Sequence, residues 1–167
     1  MSQKNIAIVA WKNNKDDFKW IQWYEDIKAL SNNIGLPITH MGITSAKFTS
    51  GKIVTVNRME KKMLDSIKSG DSLVSLSCLS LPKDYSIASF DYNAYFISNK
   101  AYIAAILKEE FYNPDLEKEI LSMLNKCVEY DDGAIFSTSV EEVPLLYIAT
   151  KDRKNLSTYE LLKKIER

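Results

Sequence analysis

Ile6-Ala7-Ile8-Val9-Ala10-Trp11 is a continuous apolar run of strand length, and it reads as a strand covered on both faces. Such a strand sits in the middle of a sheet, so the chain must supply pairing partners on both sides. From Asp16 the period changes. Trp20, Trp23, Tyr24, Ile27, Leu30 and Ile34 follow helical i, i+3, i+4 spacing, with Lys19, Glu25, Asp26 and Lys28 between them. Asp16 and Asp17 favour a helix start, and Gly35 with Pro37 stops it. A helix from Asp16 to Ile34 is predicted.

Two strands are expected next, Ile38 to Thr44 and Lys52 to Val56, joined through Ser45, Thr49, Ser50 and Gly51. Asn57 with Glu60 three residues on marks a helix start; Met59, Met63, Leu64 and Ile67 give that helix its apolar face, and Gly70-Asp71 closes it. Ser72 to Leu79 alternates as a further strand. The first 80 residues thus order as β-α-β-β-α-β, the split arrangement of the ferredoxin-like group.

Pro82-Lys83-Asp84 marks a break. Beyond it, Phe90 to Phe96 alternates as a strand with one wet side, and Tyr102 to Phe111 fits a helix. Asn113-Pro114 caps another helix with Leu116, Ile120, Leu121, Leu124, Cys127 and Val128 along one side. Ala134 to Thr138 and Val143 to Thr150 read as a strand pair, and Ser157 with Glu160 as the capping box of a last helix. The second half repeats the order β-α-β-β-α with one extra helix. The expectation is therefore an α+β fold of two ferredoxin-like βαββα units, a pseudo-duplication of element order, on an antiparallel or mixed sheet with helices packed on it. Residues 1–167 form one domain on this reading, with lobes 1–83 and 84–167.

The 167 residues include 46% hydrophobic and 26% charged side chains, the composition of a globular chain. At this length folding buries roughly 70% of the unfolded surface, so the core needs neither a metal nor a disulfide. Cys78 and Cys127 read as packed thiols. The apolar start is too short for a signal sequence and no run approaches a membrane span, so a cytoplasmic location without membrane contact is expected. His40 is the one histidine, no H-E-x-x-H or C-x-x-C spacing occurs, and the five glycines form no phosphate-binding loop. These absences point away from zinc and nucleotide cofactors, and none is assigned. The Phe90 to Phe96 segment has aromatics but also Asp91 and no base, which argues against nucleic acid.

Charge is zero overall but unevenly spread. Residues 1–83 carry +5, residues 84–150 carry −8 with four bases against twelve acids, and residues 151–167 carry +3. An acidic region raises the on-rate of a basic partner. Among its acids, the turn residues Asp131, Asp132, Glu141 and Glu142 are the first candidates for a contact, followed by Glu109 and Glu110. Tyr95 and Tyr130 are the candidate aromatic anchors.

In character, with this acidic cluster and these strand aromatics, the chain resembles the bacterial immunity proteins that neutralise cognate toxins. The resemblance implies a non-enzymatic, stoichiometric inhibitor of a basic toxin domain, such as a nuclease. The competing reading is a small-molecule enzyme or ligand-binding domain using a cleft between the two lobes, with His40, Cys78, Tyr92 and Tyr95 as its first residues to inspect.

Overall fold

A computed structural model describes residues 3–13 and 18–166, which form one eight-stranded sheet. The opening apolar run is strand β1, Lys4–Lys12, with Ile6 to Ala10 at most 3% exposed. It lies between β6 (Tyr102–Lys108) and β7 (Tyr130–Ser139), antiparallel to both; Ile8 stands opposite Ala105 on one side and Ile135 on the other. The remaining strands are β2 (His40–Ser45), β3 (Val54–Thr55), β4 (Leu73–Ser80), β5 (Ala94–Asn99) and β8 (Glu160–Ile165). Their spatial order is β3-β2-β4-β5-β6-β1-β7-β8, with every pairing antiparallel.

Side chains alternate across the sheet and divide the core in two. One face takes Ile6, Ile8 and Ala10 of β1 together with helices α1 (Trp20–Asn33), α2 (Val56–Lys68) and α4 (Pro114–Cys127), whose buried residues include Trp23, Ile27, Met63, Ile120 and Leu124. The other face takes Ala7 and Val9. Short pieces cover it: helix α3 (Ala88–Asp91), helix α5 (Leu145–Thr150) and the turns around them. On that face Trp11, Phe136, Tyr147 and Tyr159 meet edge-on or tilted, with centroids 4.6–6.0 Å apart.

The expected pair of ferredoxin-like units is not formed. In the first 80 residues the element order is as read, but β1 pairs with none of β2, β3 and β4; the β5–β6 hairpin stands between β4 and β1. Nor does the boundary at residue 83 divide the sheet, since β1 is inserted between two strands from the second half. The predicted helix start at Asp16 and Asp17 lies outside the described residues.

Four elements differ from the sequence reading, each for a local reason. Tyr102 to Lys108 is a strand rather than a helix. Its residues from Tyr102 to Leu107 are all buried, so helical spacing was satisfied by a run that faces the core on both sides. Val143 to Thr150 contains helix α5, because Pro144 holds φ −56° and ψ −29° and opens a helical turn. The last element is the edge strand β8, not a helix: Ser157 gives its backbone N–H and hydroxyl to Glu142 rather than closing a box with Glu160. Phe90 belongs to α3, and the strand begins at Ala94. The Asn113 cap is as read, its Oδ1 accepting from Leu116 N at 2.9 Å.

Gly133 of β7 shows how closely β8 seals the sheet edge. A Cβ there would lie 2.4 Å from Ile165 Cγ1 and 2.7 Å from the Val9 carbonyl oxygen. Gly133→Ala should therefore lower the unfolding free energy by about 1–3 kcal/mol, read as a reduced urea midpoint at unchanged m-value. An unaltered midpoint would show that Ile165 moves aside without cost.

Candidate functional site

Strand direction decides which of the acidic candidates are neighbours. β6 and β7 both run opposite to β1, so their C-terminal ends lie together, beside Lys4 and Asn5. Glu109 and Glu110 follow directly from β6, in a single 3-10 turn ending at Phe111. Glu141 and Glu142 follow directly from β7, with Val140 N bonded to the Gln3 carbonyl. β6 and β7 are two strand spacings apart, roughly 10 Å. Asp131 and Asp132 begin β7 and therefore sit at the opposite end of the sheet; Asp132 is seven residues, or roughly 24 Å, from Ser139. The structure thus places Glu109, Glu110, Glu141 and Glu142 at one end of the sheet, on connections that lead to opposite faces, and separates Asp131 and Asp132 from them.

The acids also differ in what they hold. Glu109, Glu110 and Glu141 are exposed, and among the described residues no lysine or arginine forms a salt bridge with them. Glu142 is committed to the fold. Its carboxylate accepts from the N–H and hydroxyl of Ser157 and from the N–H and hydroxyl of Thr158, tying the turn after β7 to the approach of β8. Those bonds, Thr158 first, hold its carboxyl below the usual range. Asp132 lies 3.0 Å from Lys151 Nζ, and that ammonium sits 4.6 Å over the Trp11 ring. Asp131 is exposed at a register shift where β7 meets β1.

Neither aromatic candidate projects freely. Tyr130 is buried at 3% exposure, and its hydroxyl donates to Asn125 Oδ1 at 2.7 Å. Tyr95 is half-buried on the face opposite the long helices, edge-on to Tyr92 at 5.3 Å and with its hydroxyl 3.4 Å from Ser77 Oγ.

His40 and Cys78 stand on opposite faces of the sheet. Cys78 pairs with Met41, not His40, and points into the core beneath the helices, where burial pushes its thiol well above the ordinary range. His40 faces the other way, its Nδ1 2.8 Å from Thr39 Oγ1 and its ring edge-on to Tyr85. The two cannot act as a nucleophile and base. Cys127 is buried too, and burial together with nearby Asp26 pushes its thiol up to about 11.

Polar groups do converge where the sequence reading placed none. A cavity of about 260 Å³ opens between α1 and α2, lined by residues including Tyr24, Lys28, Asn32, Asn57, Glu60 and Lys61. Within it Tyr24 donates to Glu60, and Lys28 Nζ lies 2.9 Å from the same carboxylate oxygen. Glu60 was legible only as a capping residue, because its true partners lie 36 and 32 residues away in the chain. Among the described residues no group of three or more His, Cys, Asp or Glu side chains is arranged to hold a metal, and no helix is long and apolar enough to cross a membrane. No family model, curated protein or solved structure matches this chain.

The two adjacent glutamates after β7 should separate in a stability experiment. Glu142→Ala should cost about 1 kcal/mol at pH 7, the scale of a lost carboxylate cap, whereas Glu141→Ala should stay within about 0.5 kcal/mol of the parent. Because hydrogen bonding lowers the folded-state pKa of Glu142, its stabilisation is complete above the unfolded carboxyl value of about 4.3 and is lost as pH falls through the lower folded value. The gap between parent and Glu142→Ala should narrow below pH 4 in urea titrations. A gap independent of pH would assign the loss to something other than the charged carboxylate.

Proposed function

We propose that the protein is an immunity protein: it binds a cognate toxin domain with a basic surface and blocks it by occupancy, one molecule to one, without turnover. The observation that carries this reading is the grouping of Glu109, Glu110 and Glu141 at one end of the sheet, exposed and free of salt bridges to any described lysine or arginine. Unpaired carboxylates on loop ends of a rigid sheet present a fixed negative potential. A partner carrying Lys and Arg is drawn to that end and held in one orientation.

The contact is assigned to these three acids. Glu142 keeps the turn in place beneath Glu141, through Ser157 and Thr158. Asp132, already neutralised by Lys151 at the far end, lies outside this contact. Inhibition of this kind takes place in the cytoplasm that the toxin enters or is made in, and it requires no cofactor.

Co-expression with the product of the adjacent reading frame should relieve growth arrest by that product. If no neighbouring frame encodes a toxic domain so relieved, the reading falls. With such a domain in hand, Glu109→Lys combined with Glu110→Lys should slow association by about tenfold or more in stopped-flow mixing, with a smaller change in dissociation. Raising salt should erase most of that difference, since exposed charges are screened beyond about 8 Å at physiological ionic strength. Equal association rates for parent and variant at low salt would remove the acids from the contact.

A further inference from the structure

Three large apolar side chains stand exposed within six residues of one another: Tyr85 at 39%, Ile87 at 56% and Phe90 at 38%. They lie on the connection between β4 and β5, which is held in a fixed shape. At its base Asn93 N donates to the Ser80 carbonyl, while Leu81 and Tyr92 are buried in the sheet. At its tip the Asp91 carboxylate accepts from Ser86 N and Ile87 N, both at 2.7 Å, and Phe90 N and Asp91 N bond back to the Ile87 carbonyl. Hydrogen bonds to those two amides hold the Asp91 carboxyl below its usual range. An ordered loop that keeps apolar groups in water has already met the cost of ordering before any partner arrives.

This loop reaches the sheet at the same end as the free acids. Lys108 N donates to the Asn93 carbonyl at 3.1 Å, Ala94 pairs with Leu107, and Glu109 is the next residue after that bonded position. Three lysines share this end of the sheet, one of them Lys4, which lies 3.9 Å from Glu160. Lys108 is drawn to the Tyr92 ring, 6.0 Å from its centroid, and to Asp91; Lys83 is exposed.

We infer that the Tyr85–Phe90 loop is the apolar anchor of a docking surface for a basic protein: Ile87 and Phe90 enter an apolar hollow of the partner while Glu109 and Glu110 meet Lys or Arg at its rim. The inference rests on the proposed binding reading and adds the anchor to it. Charge selects this occupant. An anionic bilayer is repelled by Glu109 and Glu110, and a second copy docking through the same end would set the two acidic rims against each other. The division of labour follows: acids set the rate of encounter, and the buried apolar anchor sets the lifetime.

A titration of the full chain with a defined probe tests the loop itself: a twelve-residue peptide of lysine and arginine with one central tryptophan, followed by amide NMR shifts. The expected result is shifts clustered on residues 84–92 and 108–111, and about tenfold weaker binding when the probe's tryptophan is replaced by glycine. In Ile87→Ser combined with Phe90→Ala the two probes should bind alike, which isolates the apolar contact from charge. Asp91→Ala, which leaves all three apolar side chains in place, should weaken the tryptophan probe severalfold while lowering the thermal unfolding midpoint by only about 2–4 °C, the scale of one lost cap.

Shifts that fall elsewhere, or a tryptophan probe with no advantage on the parent chain, overturn the anchor. So does sedimentation with anionic vesicles, or self-association, that Ile87→Ser abolishes. Failure of toxin rescue alongside a positive titration would instead remove the immunity reading and leave a basic-protein anchor standing.

Discussion

Ile6 to Ala10 are withdrawn from water on both faces of the sheet, and their backbone is paired on both edges. That one constraint orders the rest of the chain. A fully enclosed strand needs two partners, and here β6 and β7 are both antiparallel to it. They therefore run parallel to each other. Strands with parallel sense cannot be joined by a tight turn and require a crossover, which the 21 residues from Glu109 to Glu129 supply with α4 at their centre. The same relation recurs on the other side, where β3 and β4 flank β2 and α2 carries the chain from one to the other. The sheet is thus two antiparallel triplets, each bridged by a helix and joined edge to edge through β5, with β8 added along the free edge of β7.

Both crossover helices and α1 use the same face, so the other face is left to whatever the strand connections can provide. Residues 81–93 and 143–159 cover it with one-turn helices and aromatic side chains. A long helix anchors itself by burying a continuous stripe, as α4 does with Leu116, Ile120, Met123 and Leu124. A short connection has no such stripe. It holds its place through a few side chains sunk into the sheet, such as Tyr92 and Ile148, and otherwise faces solvent. Exposed apolar groups are therefore expected on these connections, where Tyr85, Ile87, Phe90 and Leu146 stand, while Val74 on β4 and Leu161 and Leu162 on the edge strand β8 are exposed within strands.

The sequence was most legible where periodicity was unambiguous. β1, α1, β2, α2, β4 and α4 follow from apolar spacing, with the Asn113 cap as read for α4, whereas α2 begins at Val56 without the Asn57 cap expected for it, and α1 has no side-chain cap at its Lys19 start. The misread elements share a cause. Tyr102 to Leu107 contains enough apolar residues to satisfy either period, and only the presence of β1 and β5 beside it makes it a strand. Val143 to Thr150 and Glu160 to Ile165 are short, so local pattern could not outweigh Pro144 or the pairing offered by β7. The grouping of acids was beyond reach for a related reason. Whether Glu109 neighbours Glu141 or Asp131 depends on strand direction, and no count of charges along the chain contains that information.

The carboxylates of residues 84–150 divide by what they touch rather than by where they fall in sequence. Asp91 and Glu142 each collect backbone N–H groups from a connection lying over the second face: Asp91 from Ser86 and Ile87, Glu142 from Ser157 and Thr158. Each replaces the hydrophobic stripe that its connection lacks; the Ile87 and Ser86 amides hold the Asp91 carboxyl below its usual range, and the Thr158 hydroxyl, ahead of the Ser157 and Thr158 amides, does so for Glu142. As pH falls through the lowered pKa of each carboxyl, its connection loses that clamp. Among the described residues Glu109, Glu110 and Glu141 collect no such bonds, and all three are exposed. Acidic side chains thus both hold the geometry of two connections and charge the strand exits, and the field set up there keeps its direction only while those connections keep their shape.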